Sequence, residues 1–462
     1  MTPSSPEDNL RLTVPSRGEQ VAGWATQVIG GPTGRYAAVG RRGISYAVTV
    51  LSALASVMVA LGVGQKTYCV KNGWSAPDSL WRSCYSDVAV GLNVDGGPWA
   101  KGGPGENQPV LTAILHWVLR KVVPSGSGLS VQQYYFAICA VVVALLVAAT
   151  VIATAHLLRG TPWLAAHVAL SPVLITASLI SLEMFGVALA TFGFLFWVRE
   201  RPALAGIALG AATMARSYPL VIVAAIALVA LRDRRSEALA RMLGAGTVTA
   251  VACLAVAYLA GGDPFTVYRN WNAAGPGYGS PWFLLTLLKV DVDPSAATWL
   301  AVFGWLLALL VGAYLVRRPA HLTPLAPLAL TMLVIVCVTG KSFPVQQALW
   351  ILPFLALTAF RWREHLVWAG VEIVTFVITM LFIATRTGGV KGVAWQTYLI
   401  FVVTRLVAWV SVAWISWESA EKLQDHHDPE SAAESDRQLV ADLAHGNFST
   451  GGDDSEIVGG PA

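Results

Sequence analysis

Long apolar runs recur along this chain, separated by short polar breaks. The first, about Ile44 to Gly64, is long enough to cross a bilayer, since ~20 residues at ~1.5 Å each span the hydrocarbon. A polar stretch follows, Gln65 to Ser130, rich in Trp, Gly and Pro. Loops above ~15 residues are usually functional or disordered. Trp74, Trp81, Trp99 and Trp117 argue for an ordered loop near the membrane interface. Within it, Leu111, Ile114, Leu115 and Val118 fall at helical spacing and Arg120-Lys121 follow. That predicts an amphipathic helix over Val110 to Val123, lying on the membrane. Further spans are predicted at about 131–157, 162–179, 183–198, 203–215, 219–231, 240–261, 297–316, 322–339, 344–360, 365–386 and 394–416. With the first, that makes roughly twelve. The pair 203–215 and 219–231 is too short for two full crossings. It reads as a hairpin that dips part-way, or as two helices whose ends are covered by neighbours.

Composition sharpens the class. Hydrophobic residues make up 55% and charged residues 13%, with a mean hydropathy of +0.59. A soluble surface carries ~25% charge, so a soluble enzyme is excluded and an all-α polytopic membrane protein is expected. The net charge of +4 is too mild to imply nucleic acid. Three regions follow: a polar, arginine-bearing segment 1–43, a transmembrane domain 44–416 that includes the long loop 65–130, and an acidic, Ser/Gly-rich tail 417–462 expected to be disordered. The short connections on one side hold eleven arginines, against six cations on the other. The positive-inside rule then places both termini in the cytoplasm and the long loop outside. The expected location is the cell (plasma) membrane, with the candidate site on its extracytoplasmic face.

The polar residues gather on that outer side: Cys84-Tyr85-Ser86-Asp87, Glu106-Asn107-Gln108-Pro109, Ser181-Leu182-Glu183, Arg216-Ser217-Tyr218-Pro219 and Gly340-Lys341-Ser342-Phe343-Pro344. Acids and bases beside apolar helices suit a substrate with a charged head and a greasy tail. Asp87 could take a proton from an attacking sugar hydroxyl, or it could cap a helix. Glu183 could orient an acceptor or ligate a divalent cation such as Mg or Mn, or it could sit at a helix start where the dipole favours an acid. Arg216 and Lys341 could hold a leaving phosphate, or snorkel to headgroups. Cys69 and Cys84 share the long loop, where a disulfide between them is expected and two free thiols are the alternative. Glu372 and Arg405 lie inside predicted spans at matching depth. They read as a structural ion pair, with a transporter's proton path as the sharper alternative. The histidines show no metal-ligand spacing, and nothing suggests ATP or a dinucleotide.

One further segment, Gly340 to Pro353 (GKSFPVQQALWILP), resembles the "NKV-x-SPQY-x-LW-LLP" stretch of actinobacterial integral-membrane glycosyltransferases of the GT-C class. Within that class the likeness is to the polyprenol-phosphate-mannose-dependent, GT87-like family. Other segments agree in order: Tyr85-Ser86-Asp87 with its "YSD", Glu106 to Thr112 (ENQPVLT) with "EYPVLT", Ile180 to Leu189 with "NWDLLAVAL", Arg216 to Pro219 with "K-x-YP", and Tyr278 to Trp282 with "YGS-x-W". The resemblance runs from about residue 44 to 416. It implies a GT-C fold and inverting transfer of a sugar, mannose as first guess, from a polyprenyl-phosphate donor. The acceptor would be a cell-envelope glycan or glycolipid at the outer membrane face. Asp87 is then the base and Glu183 the second acid. Arg216, Lys341 and Tyr218 flank the donor phosphate, and Glu106, Gln108, Gln346, Gln347, Trp350 and Trp282 contact substrate. The sequence departs from the family at Glu183, Gln108, Gln347 and Gly340, which bears on acceptor recognition and on activity itself. No cofactor is certain, and no oligomeric state is implied. The rival readings are a transporter or flippase of lipid-linked sugars and a non-catalytic scaffold for envelope synthesis. The long ordered loop and the outer carboxylates disfavour the transporter.

Overall fold

The computed structural model describes residues 41–90, 97–99, 103–124, 128–317, 324–389 and 391–425. Most of the expected N-terminal segment and residues 426–462 of the expected tail lie outside the described residues. Twelve helices carry the architecture: α1 Arg41–Gln65, α2 Val110–Val122, α3 Leu129–Leu157, α4 Glu183–Val198, α5 Pro202–Ala215, α6 Pro219–Arg232, α7 Ser236–Leu259, α8 Pro294–Val316, α9 Leu325–Val338, α10 Ala348–Leu357, α11 Trp362–Arg386 and α12 Trp395–Asp425. Shorter helical turns join them, and no strand occurs among the described residues.

Six of these helices, α1, α3, α7, α8, α11 and α12, are long and apolar enough to cross a membrane. They expose large apolar side chains: Val248 is 70% exposed, Leu310 69% and Trp299 72%. Such faces need lipid around them. The shorter apolar helices α4, α5, α6, α9 and α10 are packed inside or among these. A helix of 14 residues is only about 21 Å long, less than the ~30 Å hydrocarbon core. The α5–α6 pair is two helices of 14 residues each, packed on each other, with α5 also on α7 and α6 on α9. Helix α5 packs most extensively on α7. Gly206 and Gly210 allow this, because a Cβ at either would meet the backbone of α7 at Met242 or Gly246.

Two expectations are corrected. The stretch 162–179 is not one span. It breaks into a 3-10 turn, Pro162–Ala165, and two short helices, Ala166–Ala169 and Val173–Ala177. Pro172 has no N–H to continue a helix and restricts Ser171 before it. Ala165, His167, Val168, Ser171 and Leu174 are fully buried, and irregular backbone at membrane depth is tolerated where protein encloses it. Helix α12 continues to Asp425, so the tail does not begin as coil at 417. Helix α2 forms where it was expected: it buries Val110, Thr112, Ala113, His116 and Leu119 against the protein and leaves Val118 exposed on its outward side.

Candidate functional site

The irregular segment before α4 builds the site. Its carbonyls hold the long loop: Ile180 O accepts from the backbone N of Asp87 (2.8 Å) and of Val88 (3.3 Å), and Leu179 O accepts from Ser86 Oγ (2.6 Å). A disulfide joins Cys69 to Cys84, with Cα atoms 5.8 Å apart, and ties the same loop to the turn after α1. Asp87 is thus fixed from both sides. Tyr85 Oη donates to Asp87 Oδ1 at 2.7 Å. Among the described residues Oδ2 has no donor.

Lys66 was not singled out by sequence, and it lies directly behind this turn. It is fully buried, and its Nζ donates to Tyr85 O at 2.9 Å. Burial pushes its ammonium down to about 7, against the opposing pull of the Asp87 charge. Burial also raises the Asp87 carboxyl above its ordinary value. The Tyr85 hydrogen bond and the Arg216 and Lys66 charges pull it back, while the Glu183 charge adds to the rise. Asp87, Glu183, Arg216 and Lys66 therefore form one electrostatic group.

Glu183 opens α4, and Arg216 follows the last turn of α5. Arg216 Nε donates to Glu183 Oε1 at 2.7 Å. Arg216 Nη1 reaches Gln108 Oε1 (2.9 Å), Thr112 Oγ1 (3.3 Å) and Ala215 O (3.1 Å). The inward face of α2 thus supplies Thr112, and the turn before it supplies Gln108. The other Glu183 oxygen accepts from Trp350 Nε1 at 2.8 Å, and Trp350 stacks on Tyr218 at 4.2 Å. Among the described residues no acceptor takes the Arg216 Nη2 edge. Burial, with the Arg216 charge adding to it, lowers His116 to about 4, so its ring is neutral where its Nδ1 meets Tyr135 Oη at 2.6 Å.

A divalent cation does not fit at Glu183. Both its oxygens are engaged by N–H donors, and a guanidinium lies at 2.7 Å, where it repels a second cation. Among the described residues no three His, Cys, Asp or Glu side chains could hold a metal ion. Lys341 is not free to hold a phosphate. Its ammonium is spent on Trp271 O (3.0 Å), Asn272 O (2.9 Å), Pro294 O (3.0 Å) and Thr298 Oγ1 (2.8 Å). An ammonium has three N–H donors, and four acceptors surround them. Lys341 instead closes the loop 266–280 onto α8.

The remaining candidates divide. Trp282 Nε1 donates to Thr339 O (3.0 Å) and braces the 339–344 turn. Gly279 lies in that brace, with φ of 81° and Phe343 O where a Cβ would sit. Glu106 O accepts from Asn270 Nδ2 at 2.9 Å. Gln346 and Gln347 lie on the 3-10 turn Val345–Gln347 just before Trp350, and the Gln347 Oε1 is buried without a partner among the described residues. Glu372 and Arg405 do pair, at 2.8 Å, both buried. Arg405 also donates to Phe343 O (2.5 Å) and Pro344 O (3.2 Å), and Trp409 Nε1 donates to Glu372 Oε1 (2.6 Å). That pair anchors the 343–344 turn from inside the bundle.

No curated protein matches the chain. Residues 111–280, which include Glu183 and Arg216, match the family model of glycosyltransferase family 87. The family recognised from the motifs is therefore the one matched over this part of the chain, and the protein is a multi-pass helical membrane protein with a segment similar to glycosyltransferase family 87.

Proposed function

We propose that the protein transfers a sugar from a polyprenyl-phosphate donor to a hydroxyl of a cell-envelope glycan or glycolipid, at the extracytoplasmic face and with inversion. Mannose is the first sugar to test. The observation that carries this reading is that Asp87 and Arg216 share one electrostatic group in which, among the described residues, one Asp87 carboxylate oxygen and one Arg216 guanidinium edge have no partner.

In this mechanism the acceptor hydroxyl gives its proton to Asp87 Oδ2 as its oxygen forms a bond to the anomeric carbon. The bond from that carbon to the phosphate oxygen breaks, and the phosphate leaves with the electron pair. Arg216 Nη2 donates to the departing phosphate, whose charge grows along the reaction path. Glu183 does not touch the reacting atoms. It is a positioning residue that, with Gln108 and Thr112, fixes the guanidinium plane. Trp350 and Tyr218 back the same carboxylate. A raised Asp87 carboxyl suits a base, since a carboxylate of higher pKa holds a transferred proton better.

The test is label transfer from radiolabelled polyprenyl-phosphate-mannose to a membrane lipid extract, by purified protein in nanodiscs, beside Asp87→Asn. A new labelled glycolipid with the wild type alone supports both the reaction and the base. Equal transfer by Asp87→Asn rejects the base. No transfer by folded wild type rejects mannose, and polyprenyl-phosphate-arabinose follows.

A further inference from the structure

The end of the bundle remote from Asp87 holds a recess that the proposed reaction does not use. It has a volume of about 510 Å³ and lies between the last turn of α3 and the turn that leaves α4. His156, Arg159, Arg199 and Arg201 line it, together with the apolar Leu157 and Leu195. Helix α4 has 16 residues and starts at Glu183, so Arg199 sits about 24 Å from that acid.

Three guanidiniums meet here with little to balance them. Among the described residues no acceptor takes a side-chain N–H of Arg159, Arg199 or Arg201. The Arg199 Nε is buried with no hydrogen-bond partner, which is costly for a charged donor. Burial, and then the like charges of Arg159 and Arg201, lower the Arg199 guanidinium below its usual value. Glu200 also lines the recess, but it pairs with Arg235 at 3.3 Å. Nearby arginines are matched: Arg232 with Asp233, and Arg241 with Glu237. The His156 Nδ1 meets Ile152 O at 2.8 Å, which leaves Nε2 for another partner.

We propose that this recess is an anion site for a phosphate ester, with Arg199, Arg159 and Arg201 as its donors. Guanidinium forks take phosphate oxygens two at a time, and a bound phosphate gives the buried Arg199 Nε its missing acceptor. The apolar lining beside the cations suits a phosphate that carries acyl chains, as an acidic phospholipid does. Free phosphate shares the same chemistry. The site is independent of the sugar-transfer reading, because no residue is common to both.

Native mass spectrometry of the full chain in detergent tests it, with phosphatidylglycerol, phosphatidylcholine or inorganic phosphate added singly at one ionic strength. Wild type is expected to retain phosphatidylglycerol over phosphatidylcholine. Arg199→Gln is expected to weaken retention about tenfold. The double variant Arg159→Gln/Arg201→Gln changes exposed residues only, so it keeps the test open if Arg199→Gln misfolds. Arg241→Gln, the charge-matched control, is expected to retain lipid as wild type does. Displacement of the lipid by inorganic phosphate supports a site for phosphate itself, and retention in excess phosphate supports a headgroup site. Unchanged retention in both recess variants, or an equal loss in Arg241→Gln, overturns the proposal.

Discussion

Arg216 and Glu183 meet at 2.7 Å, with 10% and 7% of their side chains exposed, at the mouths of two adjacent helices. A buried pair of this kind is costly to break, because the survivor is left as an unpaired charge. Glu183→Gln is expected to destabilise the protein by about 3–5 kcal/mol and to lower transfer by loosening Arg216. Glu183→Asp keeps the charge but shortens the reach. It is expected to keep most of the stability and lose most of the rate. Thermal unfolding beside transfer kinetics checks both, and an unchanged rate in Glu183→Asp would count against a positioning role.

Asp87→Asn is expected to lower kcat by about 10²–10⁴ with the unfolding midpoint unchanged, since Asn still accepts from Tyr85. The base works only when ionised. Because burial raises its carboxyl, the acid limb of the kcat–pH profile is expected above the ~3.9 of a free aspartate. A limb at or below that value would exclude Asp87 as the titrating group.

Lys66 lowers the Asp87 carboxyl by its charge. Lys66→Met removes that charge, so the acid limb is expected to move to still higher pH. Lys66→Arg keeps the charge and is expected to move the limb less. A pH profile that shifts equally in the two variants would show that packing, not charge, is what Lys66 supplies.

Exchanging the charges of Glu372 and Arg405 is expected to fail to restore expression. Arg405 also donates to Phe343 O and Pro344 O, and Trp409 donates to Glu372. After the exchange, a carboxylate faces two carbonyls and an indole N–H loses its acceptor. Expression levels and gel filtration decide it. Full recovery would mean that the two charges matter only to each other.

The Cys69–Cys84 bridge closes a loop with a sequence separation of 15. Cross-links over such loops contribute about 3 kcal/mol. Cys69→Ser/Cys84→Ser is expected to lose about that much stability and to lower transfer through Asp87, three residues beyond Cys84. Mass spectrometry with and without reduction before alkylation reports the bond directly.

Much of this was legible in one dimension. Apolar run length fixed the membrane class and most helix boundaries, because a bilayer imposes ~20 apolar residues per crossing whatever the contacts. The segment 162–179 misled for the same reason: hydropathy cannot distinguish a helix facing lipid from broken backbone enclosed by protein. Short motifs in order pointed to Asp87, Glu183 and Arg216, since local chemistry survives in local sequence. What each cation does depended on distant partners. Lys341 and Arg216 both follow apolar helices and look alike in sequence, yet one is saturated by acceptors 43 to 70 residues away while the other keeps an edge with no acceptor among the described residues. Lys66 ends a span, where a lysine ordinarily reaches toward headgroups. Only packing against Phe376 and the Tyr85 turn shows it to be buried behind the base. The sequence by itself determined the solvent and the chemistry on offer, because those follow from composition and order. Tertiary structure alone decided which charges are spent on the fold and which remain available, because hydrogen bonds saturate and their acceptors come from the whole chain.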